Sequence, residues 1–154
     1  MDKLIFLDVD GVLNNQTWAL KMFKEEGVRV YGEDILEDRA LRLLKRLVDE
    51  TGAKIIVSSA WRKIPKSYDA LKAQLKHYGI VVDGETPYVG SVRGDDITAW
   101  FNRNPGEYRY VILDDDSDMD GHMNHLFQTD FDTGLTYEIV EKCISALNSD
   151  ALPA

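Results

Sequence analysis

Two aspartates one residue apart, Asp8 and Asp10, close a short apolar run and lead into Gly11. Carboxylates held this close beside a buried strand repel strongly in a low dielectric, and a divalent cation relieves the repulsion. The glycine lets the chain turn sharply enough for both acids to face one cavity. Far along the chain another apolar run ends in Asp114, Asp115 and Asp116, and a third ends in Ser58 and Ser59. Hard oxygen ligands that converge with no Cys or His among them suit Mg²⁺. A serine hydroxyl with its neighbouring backbone N–H groups suits phosphate oxygens; Ser58 follows the apolar run directly, and Ser59 is the alternative. Arg93, ahead of a helical pattern beginning near Asp95, offers positive charge to a phosphoryl group, with Lys63 and Lys66 competing for that role. Taken singly, each has a plain structural reading: a solvated turn for the DVDG segment, a surface side chain for Arg93. Two remote acid clusters predicted at one sheet edge are harder to explain without a ligand.

The elements that must position these residues are legible as pattern. Leu4 to Leu7, Lys54 to Val57 and Tyr110 to Leu113 are predicted as parallel strands, since apolar runs without alternation mark strands buried on both faces. Shorter strands are expected at Ile80 to Val82 and His125 to Gln128. Leu36 to Val48 carries a wide apolar stripe, opened by Asp34 with Glu37 three residues on as a capping-box-like start and closed near Gly52. Further helices are expected over Tyr68 to Tyr78, Asp95 to Asn102 and the stretch after Thr136. Strands alternating with helices predict an α/β domain: three Rossmann-like layers around a mainly parallel sheet joined by right-handed crossovers. Ligands in such sheets bind beyond the carboxyl ends of the strands, where every acid and hydroxyl cluster falls.

The order of these segments resembles a known family. LIFLDVDGVLN (4–14), IIVSSAWR (55–62), Arg93 ahead of a helix, and YVILDDD (110–116) resemble the four motifs of haloacid dehalogenase (HAD) superfamily phosphatases. SSAWR together with TDFDTGLT (129–136) resembles the HAD domains associated with RNA repair proteins. The resemblance implies a Mg²⁺-dependent phosphomonoester hydrolase in which Asp8 attacks phosphorus to form an aspartyl-phosphate. It implies that Asp10 protonates the leaving oxygen and then deprotonates the hydrolytic water, with Ser58 and Arg93 on the phosphoryl group. The metal would be held by Asp8, the Asp10 backbone carbonyl and Asp114, with Asp115 as a supporting ligand.

A chain of 154 residues is the usual size of one domain, expected over 1–150 with a small helical insert near 15–34 and a disordered tail at 151–154. That insert is too short for a separate cap, so the site is expected to be open to a phosphorylated substrate such as a nucleotide or a nucleic-acid end. Trp18, Phe23 and Tyr31 are read as local core, although they could fold over a small nucleotide. A net charge of −9 disfavours non-specific attraction to nucleic acid or anionic membrane. Acids interrupt the first apolar run, and the lone Cys143 allows no intrachain disulfide, so a cytoplasmic protein without a membrane span is expected. No obligate protein partner is evident in the pattern. Asp116 to Gly121 opens like a calcium loop but has Phe127 where the bidentate Glu belongs, and His122 and His125 read as part of a solvated polar loop. Two other classes use similar residues: a receiver-like phosphoacceptor domain and a non-catalytic module that binds a phosphorylated partner. The first would place an adjacent acid pair early and its phosphoacceptor late, the reverse of the order here.

Overall fold

In the computed structural model, residues 1–90 and 92–149 are described. The tail expected at 151–154 lies outside them. The elements run β1 (Asp2–Leu7), α1 (Gln16–Glu26), α2 (Asp38–Thr51), β2 (Lys54–Val57), α3 (Pro65–His77), β3 (Val82–Glu85), α4 (Arg93–Arg103), β4 (Tyr108–Asp114), β5 (Leu126–Gln128) and α5 (Tyr137–Asn148). The strands form one parallel sheet in the order β3-β2-β1-β4-β5. β1 is central because Leu4 to Leu7 are all shielded from water and give both faces of the sheet an aliphatic or aromatic surface. Each such side chain contributes roughly 1.5–3 kcal/mol on burial.

The strand's two-residue period divides the core into two layers. Ile5 and Leu7 join Ile55, Val57, Val111 and Leu113 under α2, α3 and α5, while Leu4, Phe6, Ile56 and Ile112 turn to Ile97, Trp100 and Phe101 of α4. Phe6 meets Trp100, Phe101 and Tyr110 edge-on at centroid distances of 5.5–5.7 Å, the arrangement aromatic quadrupoles prefer. Cys143 belongs to the larger layer, and burial pushes its thiol up to about 12. No helix among the described residues is long and apolar enough to cross a membrane.

Four local expectations are corrected. α2 begins at Asp38 behind Glu37, whose carboxylate makes no cap and instead accepts from Asn15 and Arg39; Asp34 lies outside the helix at φ 55° and accepts from the Ser67 hydroxyl. The fourth strand in the pattern shifts from 80–82 to Val82–Glu85, because Ile80 is taken into the core as the chain leaves α3, its N–H on the Leu75 carbonyl. α1 buries none of its residues, and Phe23 and Tyr31 stay exposed because α1 rides on the 130–132 turn, outside both core layers. His122 is buried, its two ring nitrogens each 2.7 Å from a hydroxyl, Thr98 on one side and Tyr110 on the other.

Burial lowers the pKa of His122, and the nearby His125 adds to the effect. The native state then resists protonation that the unfolded chain accepts below about pH 6.5, so stability is full above that pH and falls as acid is added. The His122 contribution to thermal stability should therefore fall between pH 7.5 and 5.5, read as a downward drift of the unfolding temperature relative to that of His122→Gln over the same range.

Candidate active site

Register builds the site. Leu7 pairs with Val57 on one side and Leu113 on the other, so the next residues of three adjacent strands, Asp8, Ser58 and Asp114, emerge side by side. The ladder continues one step further: Asp8 N–H donates to Leu113 and Ser58 N–H to Leu7, each at 2.9 Å. β1 is also where the strand order reverses direction, the place at which parallel sheets open a crevice.

Carboxylate oxygens of Asp8, Asp114 and Asp115 converge within 4.8 Å of one another. Two carboxylate charges within 4.8 Å repel by roughly 3.5 kcal/mol or more at an effective dielectric of about 20. Burial raises the carboxyl pKa of Asp8 well above the usual range; the Asp114 charge adds to this and Arg93 opposes it. Burial also raises Asp115, again reinforced by Asp114. Arg93 answers part of that charge, its Nη1 lying 2.6 Å from Asp114 Oδ2 and 3.2 Å from Asp8 Oδ2. Burial disfavours the guanidinium charge, but Asp8 and Asp114 outweigh burial and hold Arg93 above its ordinary pKa. Three carboxylates against one guanidinium leave a deficit of two positive charges, which a divalent cation would balance. An all-oxygen set of this kind fits Mg²⁺.

Gly11 makes the cluster compact. Its φ of 78° is left-handed, and a Cβ there would lie 2.4 Å from Asp115 Oδ2. Asp115 can lean over the DVDG turn only because that position is bare.

Asp10 is separate from the acid cluster. Its carboxylate accepts from Asn14 Nδ2 at 2.9 Å and from the Trp61 indole N–H at 3.3 Å to each oxygen. Asn14 itself accepts from Gly11 N–H at 2.9 Å, so one amide ties the turn to its acid. Asn14 and Trp61 lie within the LIFLDVDGVLN and IIVSSAWR segments, yet nothing in the pattern alone marks either as a partner of Asp10.

Ser58 and Ser59 are distinguished by their partners. Ser59 Oγ accepts from Trp61 N–H and opens the short 3-10 turn Ala60–Lys63. Ser58 Oγ is buried with no hydrogen-bond partner among the described residues. The basic candidates separate as well: Lys63 Nζ sits 3.0 Å from the Tyr88 ring centroid, Lys66 is exposed, and only Arg93 of the three reaches the acids. Arg93 does so from the first turn of α4, which starts two residues earlier than its pattern suggests. Asp118 places it, with Oδ2 accepting Arg93 N–H at 3.1 Å and its carbonyl accepting Gly94 N–H at 3.0 Å. Asp118, within the stretch that opens like a calcium loop, thus holds the N-terminus of α4.

Two further residues lie within the SSAWR and TDFDTGLT segments, although the motifs by themselves give neither a role. Arg62 is buried and donates to the carbonyls of Ser58, Ser59 and Thr86 while pairing with Asp96 Oδ2 at 3.0 Å. It thereby pins the β2 end to the β3 end and to α4. Thr129 donates its hydroxyl to Gly11 O at 2.7 Å and its N–H to Asp114 O at 2.9 Å, and Leu135 N–H reaches Val12 O. The TDFDTGLT segment therefore braces both acid-bearing turns from one side.

The family described as "HAD domain in Swiss Army Knife RNA repair proteins" matches residues 4–140. The chain belongs to that family. No curated protein and no solved structure matches it. Membership in this HAD family supports hydrolase chemistry of the phosphatase type. HAD domains typically use a metal ion, and the acidic cluster offers a place for one.

Gly11→Ala should displace Asp115 and weaken Mg²⁺ binding about 10- to 100-fold, read by calorimetric titration. Asp96→Ala leaves the Arg62 guanidinium buried without its carboxylate and should lower the unfolding free energy by about 3–5 kcal/mol in urea melts.

Proposed function

We propose that the protein is a Mg²⁺-dependent phosphomonoesterase acting through an aspartyl-phosphate on Asp8. The observation that carries this reading is the Ser58 hydroxyl, buried without a partner among the described residues at the strand end next to Asp8, whose carboxylate Arg93 reaches. A buried donor without a partner costs about 1–3 kcal/mol, and a phosphoryl oxygen at that point would satisfy it.

Asp8, Asp114 and Asp115 would hold the cation, with the Asp10 carbonyl as a further oxygen donor. A bound Mg²⁺ supplies positive charge against the phosphoryl oxygens and lets Asp8 lie close to a dianion. Arg93 neutralises a further phosphoryl oxygen, and Ser58 donates to another. An Asp8 oxygen forms a bond to phosphorus as the ester P–O bond breaks, and the electron pair leaves with the departing oxygen. Asp10 gives that oxygen its proton. Asp10, now ionised, takes a proton from water as the water oxygen attacks the same phosphorus, releasing inorganic phosphate and restoring Asp8. Asn14 and Trp61 hold the Asp10 carboxylate in place through both half-reactions. One pair of acids thus divides nucleophile and proton carrier: the buried one beside Arg93, the exposed one between two neutral donors.

Hydrolysis of p-nitrophenyl phosphate with Mg²⁺ is the expected activity. It should be abolished by chelation and should fall at least about 1000-fold in Asp8→Asn. Absence of turnover on a broad panel of phosphomonoesters would overturn the reading in favour of a binding module.

A further inference from the structure

The cavity on the open side of Asp10 has a composition unlike the charged site next to it. It encloses about 410 Å³, within the range of small-molecule sites, and Asp10 forms part of its wall. Trp61 and Ile64 line one part, and Tyr31 and Phe131 another. The Tyr31 and Phe131 rings are near-parallel, 10° between planes at a centroid distance of 6.3 Å. Tyr31, Ile64 and Phe131 are all exposed, at 37%, 54% and 44%, although apolar side chains of this size gain most by burial. Asp34 and Ser67 form a polar patch in the same cavity. Asp34 holds the left-handed backbone that is rare for residues other than glycine, and such conformations concentrate at ligand sites. No lysine or arginine among the described residues lines the cavity.

These features constrain what fits. If Asp10 protonates the departing oxygen, the departing group lies against Asp10, and the cavity that Asp10 lines and Asp8 does not is the space open to it. Its acids, with no lysine or arginine beside them, disfavour a second phosphate inside the cavity and select a neutral group there, so that the next phosphate of a strand would lie outside it. Its aromatic wall selects a planar ring, and its carboxylate selects a hydroxyl donor. Tyr31 is near enough to the acids that burial, followed by the charges of Asp10, Asp115 and Asp132, raises its phenol pKa.

We propose that this cavity is the leaving-group subsite and that it takes a nucleoside, with the base on Tyr31 and Phe131 and a ribose hydroxyl on Asp34. The inference rests on the phosphatase reading and narrows it to nucleoside monophosphate groups, either free nucleotides or the terminal nucleotide of a strand. A tyrosyl phosphate offers the ring but no hydroxyl for Asp34, and a sugar phosphate offers hydroxyls but no ring. Hydrolysis follows the balance given above, with the nucleoside hydroxyl leaving with the proton of Asp10 and phosphate released by water.

The test is steady-state kcat/KM of the full chain with Mg²⁺. Adenosine 5′- and 3′-monophosphates are compared with ribose 5-phosphate, with oligonucleotides phosphorylated at either end, and with a phosphotyrosine peptide. A stacked base should favour one nucleotide over ribose 5-phosphate by about 10- to 100-fold. That ratio should fall towards unity in Tyr31→Ala and Phe131→Ala and be kept in Tyr31→Phe. Preference for the mononucleotide or for the oligonucleotide end distinguishes the two sources, and either supports the site. Hydrolysis without preference for a base, or preference for the phosphotyrosine peptide, overturns the nucleoside site and leaves the phosphatase standing. If no ester is hydrolysed, adenosine is titrated into the protein with tryptophan fluorescence as the readout. Binding that weakens in Tyr31→Ala then supports the nucleoside site and removes the phosphatase reading, whereas no binding overturns both.

Discussion

Mutual repulsion of Asp8, Asp114 and Asp115 is the constraint around which this molecule is organised. Three carboxylates within reach of one ion, two of them buried, are unfavourable unless something rigid holds them and something positive answers them. Rigidity comes from the sheet, where three neighbouring strands end at one level and the backbone ladder runs one residue beyond Leu7. Positive charge comes first from Arg93, delivered by the first turn of α4.

The supporting structure follows from that need. α4 must start where Arg93 can reach the acids, so Asp118 takes its N–H groups, and Gly94 lets the 118–120 backbone approach to where a Cβ would meet Asp120 N at 2.7 Å. The β2 end must carry a hydroxyl without collapsing onto it, so Arg62 engages the carbonyls of Ser58 and Ser59 and leaves Ser58 Oγ unspent. The DVDG turn must keep its shape around Asp115, so Thr129 and Leu135 hold the Gly11 and Val12 carbonyls. Much of this bracing comes from polar side chains on backbone carbonyls, which fixes loops where no strand pairing is available.

The insert after β1 belongs to the same design. α1 contributes nothing to the core and takes its first N–H groups to the Phe131 and Asp132 carbonyls, so it is anchored at the rim of the site. Beside that anchored helix, Tyr31 and Phe131 stack and line the cavity that Asp10 also lines.

Taken alone, the sequence determined the kind of chemistry and the order of the parts. An acid pair, a serine pair and an acid triplet each follow an apolar run, and hydrophobic period is a local property readable within a few residues. Apolar runs located β1, β2 and β4, whereas the run at Ile80 to Val82 only touches β3, whose own sequence VDGE at the sheet edge is mostly polar. Tertiary structure decided which candidates meet: Arg93 rather than Lys63 or Lys66 at the acids, Ser59 engaged and Ser58 free, Asn14 and Trp61 on Asp10. It also turned Tyr31 and Phe131 outward over the site, where residues 100 apart form one wall. These choices depend on strand register and on loops packed across the sheet, and neither is a property of neighbouring residues.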